Sequence, residues 1–301
     1  MEMEKCKNPI VSVIMSIYNQ QNREQLETAI KSVLEQSFQD FEFIIYNDGS
    51  NETVSAYLKE FETLDNRIVL ISNPKNHGLA YSLNTCIDVA KGKYLARMDD
   101  DDICMPHRLL TQVQFMEKHP EISYIGCNAK LLDDKGVWGE RKMPENPGKQ
   151  DFLKYSPFIH PTVMIRRAVF DGTAAYKASK DTWRCEDYEL FMRLWKLGHR
   201  GCNLQEALLY YREDRSSYKK RKFKYRLDEM KLRYRNFKEM DMLWPLGWVQ
   251  VLRPLIAAFV PSFMILGIKK LYHLQEKKNE KGIGKTMESV PESTTEGTGT
   301  V

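Results

Sequence analysis

The stretch KYLARMDDDD, residues 93–102, carries the argument for the fold. Residues 93–98 read as a strand that runs directly into four consecutive aspartates, Asp99 to Asp102. Just upstream, Leu79, Leu83, Cys86, Ile87 and Ala90 recur at helical spacing, and Gly92 falls where a helix terminator is favoured. Further back the same alternation repeats. Residues 68–71 form a strand pattern, Tyr57, Leu58 and Phe61 a short helix, and residues 41–46 (FEFIIY) a strand ending in the turn composition Asn47-Asp48-Gly49-Ser50. Before these, Leu26, Ala29, Ile30, Val33 and Leu34 mark a helix behind the near-continuous apolar strand VSVIMSIY at residues 11–18, which breaks into Asn19-Gln20-Gln21-Asn22. Strand and helix alternating this way predict an α/β fold with a mostly parallel sheet covered on both faces. Ligands of such sheets bind beyond the carboxyl ends of the strands, where Asn19, Asn47-Asp48 and the four aspartates all fall.

Downstream the pattern changes. A helix is predicted from near Pro106 to just before Pro120, with strand-like runs at residues 122–132 and 162–165. A helix over residues 186–197 turns Leu190, Phe191, Leu194 and Trp195 inward and is closed by Gly198. The resulting division is a core domain at 1–213, a basic helical extension at 214–240, an apolar segment at 241–274 and a disordered polar tail at 275–301.

Composition excludes some partners. The 45 basic and 41 acidic residues leave a net charge of +4, which gives no general attraction for nucleic acid. The six cysteines are scattered, so reduced core thiols are expected rather than a zinc or redox pair. Residues 1–8 are polar and charged and hold no apolar signal core, so a cytoplasmic location is expected.

Adjacent carboxylates ~4 Å apart repel by about 1 kcal/mol in water and about 4 at an effective dielectric of 20. Four of them at a cleft mouth call for a cation, and oxygen-only ligands select Mn²⁺ or Mg²⁺. On charge alone a solvated acidic turn is an equal reading; the position beside two other polar strand ends favours metal. Glu186 and Asp187 open a helix, where the dipole favours acidic residues in any case; the functional alternative is a general base acting on a hydroxyl.

In the C-terminal region Arg215, Lys219, Lys220, Arg221, Lys222, Lys224 and Arg226 are interleaved with Tyr218, Phe223 and Tyr225. The apolar run holding Trp244, Trp248, Phe259 and Phe263 is broken by Pro245, Arg253, Pro254 and Pro261, and is followed by Lys269 and Lys270. Its charge-free part is shorter than the ~20 residues that span a bilayer. The segment therefore reads as a peripheral or monotopic anchor at the inner face of the cell membrane, helped by basic residues, with a homodimer interface as the rival reading.

Five strings in order, VSVIMSIYNQ, IIYNDGSNET, NPKNHGLAYSLNTCIDVAKGKYLARMDDDD, HPTVMIRR and CEDYELFMRLWKLG, resemble the family 2 glycosyltransferases, over about residues 9–211. The resemblance implies a glycosyltransferase A-type, Rossmann-like fold, a nucleoside-diphosphate sugar donor, a divalent metal and inversion at the anomeric carbon. It implies that Ile17 and Tyr18 border the base, that Asp48 accepts from a uracil-like ring nitrogen, and that Asn76 and Gly78 form a loop against the nucleotide. Arg97 would lie beside the phosphates, and Asp99 and Asp101 would form the spaced aspartate pair, with Asp101 the direct metal ligand. Asp187 would be the catalytic base and Glu186 would shape the acceptor site. Asn47 stands where the family more commonly has aspartate, and Asp100 where it often has a small residue. His160 reads as structural. The acceptor implied is a lipid-linked or polysaccharide hydroxyl in surface-glycan synthesis. An inactive membrane-tethered binding protein and a nucleotidyltransferase are the competing classes, the first opposed by Asp101 and Asp187, the second by the Glu186-Asp187 string and the lack of a glycine-rich phosphate loop near Ile17.

Overall fold

The computed structural model describes residues 8–172, 175–213 and 223–258. The first half alternates as the sequence predicts: β1 (Val11–Ile17), α1 (Arg23–Leu34), β2 (Phe41–Asp48), α2 (Glu52–Leu64), β3 (Ile68–Asn73), α3 (Leu79–Val89) and β4 (Tyr94–Met98). Then come β5 (Ile103–Cys104), α4 (Arg108–Lys118), β6 (Tyr124–Asp133), β7 (Gly136–Arg141), β8 (Met164–Arg166), α5 (Glu186–Lys196), β9 (Gly201–Arg212), α6 (Phe223–Glu239) and α7 (Gly247–Ala258). Asn22 and Asn51 start α1 and α2 by accepting from the Gln25 and Val54 N–H groups, which would otherwise lack partners.

All described strands join one sheet in the order β3-β2-β1-β4-β8-β6-β9-β5, with β7 hairpinned onto β6. The run β3-β2-β1-β4 is parallel, and β6 and β9 are parallel to each other. Between those blocks β8 pairs antiparallel with both β4 and β6. β1 is largely apolar because both of its faces are covered. Val11, Val13, Met15 and Ile17 enter one core with Leu26, Ile30, Leu58 and Met116, while Ile14 enters the other with Leu83, Phe191 and Phe237. Both cores stop at the carboxyl ends of the strands, which leaves the polar turns there facing the cleft.

Two glycines show how far local signals reach. Gly198 takes φ 92° after α5, and the N–H of His199 donates to the Leu194 carbonyl at 3.0 Å, which is the expected helix stop. Gly92 does something other than stop a helix. Ala90 already caps α3, and Gly92 presses against β1, where a Cβ would lie 2.5 Å from the Ser12 nitrogen. Its own N–H donates to Ser12 Oγ at 2.8 Å. The requirement is close backbone approach, which helix periodicity does not report.

Three further expectations need comment. The helix near Pro106 begins at Arg108. Of the basic helix at 214–240, residues 223–239 form α6 and 214–222 lie outside the described residues. Of the apolar segment at 241–274, α7 runs through Pro254, while residues 259–274, like the tail at 275–301, are outside the description. No helix among the described residues is long and apolar enough to cross a membrane. Cys86, Cys104, Cys127, Cys185 and Cys202 are buried free thiols.

Gly92→Ala is expected to lower the unfolding free energy by about 1–3 kcal/mol, the usual cost of an overpacked contact. A shift of the denaturant midpoint at unchanged slope checks it; an unchanged midpoint would show that β1 yields to the added methyl.

Candidate active site

The turn after β2 is tied to its neighbours by hydrogen bonds. Both oxygens of the buried Asp48 carboxylate are used: Oδ1 accepts from the His77 N–H and Oδ2 from the Gly78 N–H, each at 2.8 Å. Asp48 thereby pins the loop 76–78 that leads into α3. Gly49 makes this approach possible, because it sits at φ 72° and a Cβ would meet the Lys75 backbone at 2.6 Å. Asn47 accepts from the Ser50 N–H and donates to Ser55 Oγ, closing the turn from inside. Asn19, in the left-handed region at φ 52°, accepts from the Asn51 N–H at 2.8 Å. The result is a cradle whose outward groups are Tyr18, 53% exposed, and the exposed Asn76. Ile17 lies wholly within the core, so only its backbone faces the strand end.

At the end of β4 the aspartates meet two arginines. Arg97, 3% exposed, forms an ion pair with Asp99. Its backbone is held on both sides, the N–H donating to the Val163 carbonyl and the carbonyl accepting from the buried Arg108 guanidinium. Asp102 is fully buried; one oxygen accepts from the Arg212 N–H at 2.8 Å and the other has no hydrogen-bond partner. Arg212 also reaches the Asp101 carbonyl at 3.2 Å and the Asp134 carboxylate at 3.3 Å, so the end of β9 braces the whole turn. Burial, then the charges of Asp101 and Asp99, push Asp100 up to about 8. Burial and the same two neighbours hold Asp102 well above the ordinary carboxylate range.

A turn of four adjacent carboxyl groups, two of them disfavoured as carboxylates by burial and by their neighbours' charge and one with an orphaned oxygen, is chemically suited to a hard divalent cation. Among the described residues no three histidine, cysteine or carboxylate side chains are grouped to hold such an ion unaided. Its remaining ligands would be water and phosphate oxygens. Beside Asp101 a cavity of about 430 Å³ opens between the first turn of α1, the Asp133-Asp134 turn and Arg212.

The second pair of carboxylates opens α5. Thr182 anchors the preceding turn, and Arg184 takes φ 67° before the Cys185 N–H closes onto the Thr182 carbonyl at 2.9 Å. Glu186 Oε2 is buried without a hydrogen-bond partner. Burial, then the charge of Asp187, raise Glu186 to about 7. Tyr176 connects the two halves of the cleft. Its hydroxyl lies 2.7 Å from His160 Nε2, and the charges acting on it are those of Arg97, Asp187, Glu186 and Asp99. Burial raises the phenol well above its usual range, so it stays protonated. Burial, then Arg97, hold His160 well below its usual range and keep it neutral.

The structure therefore brings Arg97, Asp99, Glu186 and Asp187 to bear on one phenol, with Asp48, Asn76 and Gly78 grouped at the neighbouring strand end. Sequence reasoning missed Arg212 and Tyr176 as organisers of this site, and named Asp102 only as one of the four aspartates. Their signal was weak: Arg212 ends an unpredicted strand, and Tyr176 lies in a segment without periodicity. His160 was within reach, since the string HPTV leads straight into β8.

A hydrogen-bonded cradle at one strand end, an acidic turn braced by arginines at another and a carboxylate pair opening α5 accompany the fold of a glycosyltransferase of the glycosyltransferase A type. The model of Glycosyl transferase family 2 matches residues 12–174, and the chain belongs to that family. It is 37% identical over 275 residues to EpsE of Bacillus subtilis (strain 168), a protein that carries a glycosyltransferase name, covering 91% of this chain and 96% of EpsE. It is 30% identical over 214 residues to the amylovoran biosynthesis glycosyltransferase AmsE of Erwinia amylovora, covering 70% of this chain and 79% of AmsE. Among solved structures it resembles S. aureus TarS 1–349 in complex with UDP-GlcNAc, with TM-score 0.58 and 17% identity over 74% of this chain and 65% of that one. Of the TarS chain matched first, this chain spans 39%. It also resembles the mannosyltransferase PcManGT of Pyrobaculum calidifontis in complex with GDP-Man and Mn²⁺, with TM-score 0.56 and 14% identity over 89% and 81% of the two chains.

Glu186 sets a pH dependence of stability. Its folded-state value of about 7 lies above the ordinary 4.5, so the folded state holds the proton more tightly. Stability of the ligand-free protein is then expected to fall as pH rises from about 4.5 to about 7, by at most about 3 kcal/mol. Glu186→Gln should flatten that slope; parallel profiles for the two proteins would refute the shift.

Proposed function

We propose that this chain moves a sugar, with inversion, from a nucleoside-diphosphate donor, UDP-linked, to a hydroxyl of a lipid-linked or polysaccharide acceptor in cell-surface glycan synthesis. The observation that carries this reading is that the turn opening α5 with Glu186 and Asp187 lies against the Asp48-bound loop, Trp183 standing next to Gly78, while β4 of the same sheet ends in the Arg97–Asp99 ion pair. One pair suits the departing diphosphate and the other an incoming alcohol. The UDP-GlcNAc bound by TarS and the amylovoran role in the name of AmsE support the donor and acceptor classes.

In this reading Ile17, Tyr18 and Asp48 border the base, while Asn76 and Gly78 close the loop against the nucleotide. Asp48 acts mainly through the loop it holds, since both its oxygens already accept backbone N–H groups. Asp99 and Asp101 hold a Mn²⁺ or Mg²⁺ ion, with Asp101 the direct ligand. When bound, that ion offsets charge on the departing diphosphate. Arg97, buried and fixed at both ends of its peptide unit, adds a preorganised positive charge on the same side. Asp187 takes the acceptor proton as the hydroxyl oxygen attacks the anomeric carbon and the carbon–oxygen bond to the phosphate breaks. Glu186 shapes the acceptor side.

The catalytic domain at 1–213 is followed by elements suited to an inner membrane surface. Trp244, 85% exposed, joins Leu246, Trp248, Val249, Leu252 and Ile256 in an uncovered apolar face on and before α7. Lys142 and Lys154 line one cavity with Leu246 and Asp151, and the sequence stays largely apolar to Ile268 before Lys269 and Lys270. An apolar face rimmed by cations fits an interface with anionic lipid. The full chain is expected to sediment with vesicles containing phosphatidylglycerol and to be released by Leu252→Glu with Ile256→Glu. Loss of a solution dimer on the same change, with no vesicle binding by the native chain, would assign the face to a second copy instead.

Two substitutions separate the site roles. Asp187→Asn is expected to reduce transfer by about 10²–10⁴-fold with donor affinity retained. Asp101→Ala is expected to abolish the Mn²⁺ dependence of nucleotide binding in a calorimetric titration. Joint loss of binding and transfer in Asp187→Asn, or undiminished metal-dependent binding in Asp101→Ala, would overturn the assignments.

A further inference from the structure

Trp183 has no role in the cores or in the chemistry described so far, and its setting calls for one. It lies three residues before Glu186, on the turn that launches α5, and is 46% exposed. Large aromatic side chains gain most when buried, and neither core cluster contains this one. The turn keeps it outward. Thr182 Oγ1 donates to the Lys177 and Ser179 carbonyls at 2.6 and 3.0 Å, and the Cys185 N–H returns to the Thr182 carbonyl. Between them Arg184 occupies the left-handed region at φ 67°, where a non-glycine residue is disfavoured. That conformation reverses the chain so that Cys185 goes inward while Trp183 stays at the surface. A strained residue one step from an exposed tryptophan, in the turn that delivers Glu186 and Asp187, matches the clustering of backbone strain at working sites.

The indole lies against the loop that enters α3. Its Nε1 lies 3.8 Å from the position a Cβ would take on Gly78, whose own N–H is bonded to Asp48. Trp183 thus spans the gap between the nucleotide loop and the carboxylate pair. Tyr225 of α6 stands 6.5 Å away, tilted by 43°. On the other side of the loop the exposed Tyr81 packs on His77 at 4.7 Å. Indole offers a flat apolar surface with a negative face and one N–H donor. A pyranose ring offers its complement, a face of slightly positive C–H groups edged by hydroxyl acceptors. A phosphate would be repelled by that face.

We propose that Trp183 is a sugar-stacking residue, against which a pyranose ring packs beside Asp187. The inference rests on the glycosyl-transfer reading and adds to it a determinant of which ring is held. The ring belongs either to the donor or to the acceptor, and kinetics separate the two.

The test begins with native enzyme and UDP-glucose, UDP-galactose, UDP-GlcNAc and GDP-mannose, with membrane extract as acceptor source. No turnover of any would count against the glycosyl-transfer reading itself. With the donor that is used, Trp183→Ala, Trp183→Leu and Trp183→Phe are compared at matched melting temperature. In the alanine and leucine variants KM is expected to rise about tenfold, the upper range of one aromatic contact, and in the phenylalanine variant to stay near the native value. A rise for the donor in water-only hydrolysis assigns the ring to the donor, and a rise for the acceptor alone assigns it to the acceptor. Affinity for the free nucleotide is expected to be unchanged. Equal weakening of nucleotide and nucleotide sugar would show that the indole covers the base and overturn the proposal. So would an unchanged KM in Trp183→Ala, or a leucine variant as good as phenylalanine.

Discussion

The molecule is organised around an excess of negative charge at the end of a buried strand. β4 runs into four carboxylates, and burial raises the electrostatic cost of ionising Asp100 and Asp102. The fold answers from two directions. Arg97 lies within β4 itself, ion-paired with Asp99, and Arg212 arrives from the end of β9 to bind the Asp101 carbonyl, the Asp102 carboxylate through its N–H, and Asp134. These contacts hold the turn in place and leave one oxygen of Asp102 unsatisfied. A site balanced this way is rigid yet still short of positive charge, the condition under which an added cation gains most.

The same economy governs the opposite wall. Glu186 is kept partly protonated near neutral pH by burial and by Asp187, while Arg97 acts on it from across the cleft. His160 and Tyr176 stay neutral in between, joined by a 2.7 Å hydrogen bond. The hydrogen-bonded His160–Tyr176 pair is therefore uncharged, while the Arg97–Asp99 ion pair beside it is charged.

Much of this was legible in the sequence, and the reasons for the gaps are physical. The inner strands β1, β2 and β4 are buried along almost their whole length, so each reads as a largely apolar run, and polar residues follow at their ends. α5 was equally plain because its apolar stripe and terminal glycine agree. β9 was not, since its burial changes along its length and its pairing with β6 shifts register near Asn128. The residue at its end, Arg212, was lost with it. Gly92 was assigned to the wrong task because a glycine demanded by backbone contact looks the same in sequence as one demanded by a helix end. Trp183 and Tyr176 lie in irregular chain, where only three-dimensional placement gives a side chain its meaning.

At β8 the sheet changes strand direction. That strand is only Met164–Arg166, yet it is the sole described seam joining the nucleotide-side strands to the β6–β9 block. Arg97 hangs on one side of that seam through the Val163 carbonyl, and His160 lies just ahead of it. With only three residues in the seam, the relative placement of the two blocks depends on the contacts that flank it, among them the Arg166 guanidinium, which donates to the Met116 and His119 carbonyls at 2.6 and 2.8 Å.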